Sequence, residues 1–207
     1  MHVLMLNGSP HAKGCVFTAL TCVAQQLEKH GISSEILQLG TKPVRGCIAC
    51  QKCVKTGRCV FNDDGVNECI EKLKGADGFI VGSPTYYAGP NGALCAFLDR
   101  LFFCKSAPYA FKPAACVVSC RRGGASASFD RLNKYFTINR MPVVSSQYWN
   151  SVHGNTPEQV LQDEEGLQIM RTLADNMAWL LQCIEKGREA GINTPTIEPW
   201  IATNFIR

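Results

Sequence analysis

Nowhere in the 207 residues does an apolar run approach the ~20 residues that a membrane-spanning helix needs; strings such as AACVV at 114–118 are short. The opening MHVLMLNGSP has no basic stretch and reaches Asn, Gly and Pro after six residues, unlike a secretory leader. Charge of one sign is scarce too. The formal net charge is +4, from scattered Lys and Arg, so neither a nucleic-acid nor a membrane footprint is expected. Internal repeats and low-complexity tracts are absent. Cysteine, by contrast, is abundant. Twelve thiols, several in apolar patterns (Cys69, Cys95, Cys116), suit a reducing, cytoplasmic setting where free cysteine acts as a small buried hydrophobe.

Short apolar strands alternate with amphipathic helices. Strands are expected at 2–9, 33–39, 77–84, 112–120 and 142–148. Helices are expected at about 16–30, 62–76, 91–103 and 126–137. The second of these opens on the acidic residues of NDDG, which favour a helix N-terminus. A long helix over about 163–187 carries Leu167, Met170, Leu173, Met177, Leu180 and Ile184 as a stripe that reads as core or dimer interface. A proline-containing extended arm follows at 194–207. Five such units predict a doubly wound, flavodoxin-like five-stranded parallel sheet with right-handed crossovers. In such sheets ligands bind beyond the C-terminal strand ends, where strand order reverses.

Three loops fall at that edge. NGSPHAKGCVFTAL (7–20) leads a small-residue turn straight into a helix, an arrangement that offers N–H groups to a phosphate. Ser9, His11 and Lys13 add a hydroxyl and charge. It has neither the GxGxxG spacing nor a P-loop's Gly-Lys-Ser/Thr. GSPTYYAGPNG (82–92) sets tyrosine faces beside a backbone-rich turn, suited to a planar heterocycle. SCRRGGASA (119–127) combines paired glycines with two arginines. Each loop alone is also an ordinary strand-to-helix turn; the three together point to a cofactor site.

In this order, NGSPHAKG, GSPTYYAGP and the Gly-rich loop resemble the NADPH-dependent FMN reductase branch of the flavodoxin-like superfamily over roughly residues 1–150. The resemblance implies FMN. Its phosphate would lie among Ser9, His11, Gly14, Cys15 and Val16, and its ribityl and ring would lie against Pro84, Thr85, Tyr86, Tyr87, Ser119, Arg122, Gly123 and Gly124. Where relatives commonly open the first helix with Asn-Thr, this chain has Cys15-Val16, so no threonine hydroxyl serves the phosphate. Residues 1–150 are expected to form the flavin-binding unit, and 151–207 a helical extension and tail of the same domain.

GCIACQKCVKTGRC (46–59) places Cys47, Cys50, Cys53 and Cys59 within thirteen positions, in a loop expected near the same end of the sheet. Zinc usually takes two separated ligand pairs, whereas one segment wrapping a cubane uses spacings like C-x2-C-x2-C. The loop lacks the proline that follows the last cysteine in ferredoxins. It resembles the compact motif of iron-sulfur flavoproteins, which carry [4Fe-4S] beside FMN. A cluster, a zinc ion and free thiols all stay open.

The leading expectation is an FMN oxidoreductase using NAD(P)H and passing electrons to a small-molecule or redox-protein partner. The alternatives are an electron carrier with FMN and [4Fe-4S], and a flavin-binding regulatory module without turnover. No catalytic acid or base stands out; His11 and His153 are candidates only because histidine titrates near neutrality. The apolar stripe and tail suggest a homodimer or homotetramer.

Overall fold

The computed structural model describes residues 1–104, 109–199 and 201–203. Of the arm expected at 194–207, residue 200 and residues 204–207 lie outside that description.

Strands β1 (His2–Asn7), β2 (Ser33–Gln38), β3 (Gly78–Tyr86), β5 (Ala114–Cys120) and β6 (Ser151–His153) form a parallel sheet in the order β2-β1-β3-β5-β6. A two-residue β4 (Gly89–Pro90) folds back antiparallel on β3. The strand order reverses between β1 and β3, so their exit loops flank a crevice.

Val3, Leu4, Met5 and Leu6 are all fully buried, because the sheet is covered on both faces. The period-2 alternation divides them. Leu4 and Leu6 join Phe79 and Val81 beneath α3 (Val66–Gly75), α4 (Gly92–Phe103) and α5 (Ala125–Ile138). Val3 and Met5 join Ile80 and Val117 beneath α1 (Cys15–Lys29) and α7 (Glu164–Glu189). Three-residue-to-four-residue spacing does the same for the helices: Leu94, Phe97, Leu98 and Leu101 of α4 all point inward. Of the α7 stripe, Met170, Leu173 and Met177 pack fully buried on the sheet, while Leu167, Leu180 and Ile184 are half-buried. Two short helices, α2 (Lys52–Thr56) and α6 (Pro157–Val160), lie in loops.

Two elements differ from the sequence reading. The fifth strand is β6, not 142–148. Pro142 and Val144 do bond to Ala114 (2.8 Å each), but the chain then leaves the sheet. The Ser146 hydroxyl bonds the Tyr148 carbonyl at 2.6 Å and the Asn150 side chain at 2.7 Å, closing a turn. Pairing resumes where Val118 N–H donates to Asn150 O. Local side-chain bonding thus outcompetes the ladder. The helix expected from 62 starts at Val66, capped by Gly65 at φ +78°. The acidic residues before it meet arginines instead: Asp63 pairs with Arg45 at 3.3 Å and Asp64 with buried Arg100.

Candidate functional site

The loop after β1 is built around buried Asn7. Its side chain donates to Gln38 Oε1 (2.6 Å) and to His11 O (3.4 Å), and accepts from Ser9 N–H (3.1 Å). Gln38 in turn donates to Ser9 O at 2.7 Å, and the Ser9 hydroxyl accepts from His11 N–H at 3.1 Å. Gly8 donates to Gly82 O at 2.8 Å, and a Cβ on Gly8 would meet that carbonyl at 2.8 Å. The loop is therefore held tightly against β3. It delivers the chain to Gly14, which caps α1 without any side-chain acceptor, and the first turn of α1 has no acidic residue. Its N–H groups and positive dipole end remain available to an anion.

The second loop is a hairpin. Thr85 and Tyr86 pair with Pro90 and Gly89 across Tyr87 and Ala88, both with positive φ (+50° and +58°). Non-glycine residues there carry strain, about 1–2 kcal/mol each. The third loop leaves β5 at Cys120, and Gly124 (φ +89°) opens α5 so close to the hairpin that a Cβ would meet Ala88 Cα at 2.7 Å.

These loops enclose one cleft of ≈ 670 Å³, within the ~300–1,000 Å³ usual for cofactor sites. The structure brings Ser9, His11, Gly14, Cys15, Val16, Pro84, Thr85, Tyr86 and Ser119 to its wall. Tyr87, Arg122, Gly123 and Gly124 are not on it. Tyr87 is fully exposed at the hairpin tip, and Gly124 is spent on the close approach to Ala88. Arg121 lines the cleft where Arg122 was expected, together with Cys120, whose thiol pKa burial pushes up. Lys13 and Arg121 supply positive charge, and among the described residues no carboxylate lines the wall. His153 does not line the cleft; its backbone N–H donates to Asp163 at 2.6 Å, and its ring Nδ1 lies 3.8 Å from the same carboxylate.

A fourth segment was missed: Gly154, Asn155, Thr156 and Pro157 also line the cleft. Gly154 N–H donates to Cys120 O at 3.2 Å, and the Cys15 thiol lies 3.8 Å from Gly154 O. Thr156 caps α6 with Pro157 in its first turn, a helix-start signal present in the sequence.

Cys47, Cys50, Cys53 and Cys59 line a second, narrow cavity of ≈ 20 Å³ with Ile48, Gln51, Val60, Phe61, Arg100 and Phe103. Cys47 and Cys50 are on its exposed side. Cys59 is clamped by Asn67, which accepts from its N–H (2.8 Å) and donates to its carbonyl (3.0 Å). Ala49 N–H donates to Cys47 Sγ at 3.4 Å, and Arg100 Nε–H to Cys59 Sγ at 3.1 Å. Burial raises the pKa of Cys53, with the Cys104 thiol adding to the rise. The four cysteines face one space, and its lining shares no residue with the flavin cleft. As the side chains stand, no group of three or more His, Cys, Asp or Glu among the described residues is arranged around a metal ion. The cavity nonetheless offers four thiol donors, with N–H groups beside two of the sulfurs.

A doubly wound sheet with an anion-binding loop, an aromatic lip and a cationic wall defines a flavodoxin-like flavoprotein. The model of the family "NADPH-dependent FMN reductase" matches residues 1–156. An iron-sulfur flavoprotein of Methanocaldococcus jannaschii is 29% identical over 197 residues, covering 90% of this chain and all of the relative. One from Archaeoglobus fulgidus is 30% identical over 170 residues, covering 80% and 83%. Among solved structures, RosB superposes with a TM-score of 0.69 at 14% identity (100% of this chain, 94% of the other). A WrbA-like flavodoxin from Agrobacterium tumefaciens gives 0.61 at 15% identity (88% and 97%). The chain belongs to the NADPH-dependent FMN reductase family, in its iron-sulfur flavoprotein branch, and is a flavoprotein oxidoreductase with FMN as cofactor. No helix of the described residues is long and apolar enough to cross a membrane.

Proposed function

We propose that this chain takes electrons from NAD(P)H onto FMN in the ≈ 670 Å³ cleft and releases them through a [4Fe-4S] cluster held by Cys47, Cys50, Cys53 and Cys59. The observation that carries this reading is the convergence of all four cysteines on one apolar cavity with a buried arginine donating to sulfur. FMN held in that cleft would supply both two-electron and one-electron redox chemistry, the property needed to join a nicotinamide to a one-electron centre.

The protein's part is placement. The uncapped start of α1, Ser9 and Lys13 suit the FMN phosphate; Pro84, Thr85 and Tyr86 on one side and Ser119 to Arg121 on the other suit the ring. Arg121, rather than Arg122, is the guanidinium positioned for it. The Gly154–Pro157 segment closes the wall and limits water. At the cysteines, the half-buried Cys53 and Cys59 and the exposed Cys47 and Cys50 would together supply the four thiolates for the cluster. Such a thiol-rich loop calls for the reducing cytoplasm.

A redox protein is the favoured acceptor, because the exposed outer wall of the cysteine loop gives a partner access. The exposed aromatics Tyr87, Tyr148, Trp149 and Trp179 support a homodimer or homotetramer. The test is anaerobic. Reconstituted protein should bind one FMN and about four iron atoms per chain, and NAD(P)H should bleach the flavin absorbance. Flavin that stays oxidised under NADH and NADPH alike rules out the nicotinamide step.

A further inference from the structure

We propose that Arg100 is a positioning residue for the cysteine cavity: its buried guanidinium, locked by Asp64, orients Cys59 and sets the reduction potential of the cluster through an Nε–H···Sγ bond. The inference rests on the reading of that cavity as a [4Fe-4S] site.

Arg100 lies within the apolar α4, with 1% of its side chain exposed, and Asp64 has 2%. A cation in such a place is costly unless every donor is met. All five N–H groups are met. The two terminal nitrogens fork onto the Asp64 carboxylate, the second at 3.1 Å. They also donate to Arg45 O (3.2 Å) and Phe61 O (3.3 Å). That leaves Nε–H, which points at Cys59 Sγ at 3.1 Å. The Phe61 ring lies 5.1 Å from the guanidinium carbon. Cys59 is meanwhile fixed by Asn67 at its backbone. Neutralising Asp64 requires only the fork, so the fifth bond is an added constraint, directed at a sulfur.

Two consequences follow from general chemistry. An N–H donated to a cluster thiolate withdraws electron density and raises the potential, more strongly in a dry setting. Arg100 and Asp64 are formally neutral together, so the influence on the cluster comes from the directed bond rather than from net charge. A lysine keeps the charge but cannot place one donor on sulfur while forking onto a carboxylate.

The experiment uses the full chain, reconstituted anaerobically with FMN and cluster, as wild type, Arg100→Lys, and the charge-neutral pair Arg100→Met with Asp64→Leu. Iron and sulfide per chain, FMN content and circular dichroism are measured. The cluster potential is read by redox titration with electron paramagnetic resonance of the reduced form. The double variant should hold wild-type FMN and shift the cluster potential negative, with Arg100→Lys in between. A folded, FMN-loaded variant that loses iron also supports the positioning role. A wild-type potential at full iron content in Arg100→Lys overturns it, and that variant decides if the double variant fails to fold. Wild type that takes up no iron overturns the cavity reading itself, a result distinct from an unmoved potential.

Discussion

Single side chains already separate reactive from structural roles. Burial raises the thiol pKa of Cys69 and Cys116, while Cys47, Cys50 and Cys183 are exposed. Metal-free native protein should therefore react quickly with a thiol reagent at Cys47, Cys50 and Cys183, and at Cys69 and Cys116 only after unfolding. Mass spectrometry of the labelled peptides checks this. Tyr86 lines the cleft and is half-exposed there. Tyr86→Ala should weaken FMN binding by about 1–3 kcal/mol, read by fluorescence quenching, whereas Tyr87→Ala at the solvent-exposed tip should leave it within about 0.5 kcal/mol.

Asp175 gives the pH dependence. Partial burial works to raise its pKa, but hydrogen bonds from Gln26 and His30, both 2.7 Å, outweigh it and hold the carboxyl below its ordinary value. A depressed carboxylate contributes stability above its unfolded pKa of about 3.9 and loses it as pH falls through the folded value. Asp175 is too exposed for a large effect, about 1 kcal/mol or less. Asp175→Asn should lower the melting temperature slightly at pH 7, and the gap to wild type should close as the pH falls below the unfolded value of about 3.9. A gap that persists there would show that packing, not charge, joins α1 to α7.

At the scale of elements, α1 and β3 touch more closely than any side chain permits. A Cβ on Gly82 would meet Val16 Cγ1 at 2.5 Å and Leu20 Cδ1 at 3.0 Å. Gly82→Ala should push the start of α1 away from the cleft. At about 1–3 kcal/mol for overpacking, FMN affinity should fall about tenfold or more and stability should drop with it. Unchanged affinity in a thermal-shift and quenching assay would show that α1 does not place the cofactor.

The same scale explains what the sequence revealed. Strands β1, β3 and β5 are near-continuous apolar runs, so their ends, and the three loops beyond them, could be located without coordinates. β6 is the three residues Ser-Val-His, too short and polar to carry a strand signal, so the helix start at Thr156-Pro157 could be read but not placed at the cleft. The cysteines were legible as a cluster of thiols. Their walls were not, because Arg100 and Phe103 come from α4, more than forty residues on, and an arginine in an amphipathic helix reads as a surface charge. The glycines of the third loop were read as cofactor contacts because close approach is glycine's use; the approach is real, but Gly124 makes it to Ala88.

For the whole molecule, the arrangement is a cofactor cleft at the strand ends and a cysteine-lined cavity, with no lining residue in common. The exposed aromatics at the hairpin tip and at Tyr148, Trp149 and Trp179 predict self-association. Sedimentation at micromolar concentration should give at least twice the 22.7 kDa of one chain. A monomer there would remove the oligomer from the account. The central claim, that this chain couples a flavin to a cluster, is tested most directly by an anaerobic reductive titration of reconstituted protein. FMN takes two electrons and a [4Fe-4S] centre one, so the account predicts about three reducing equivalents per chain, the third tracking the cluster absorbance. An end point at two equivalents, with the flavin fully reduced and no further change, would contradict it.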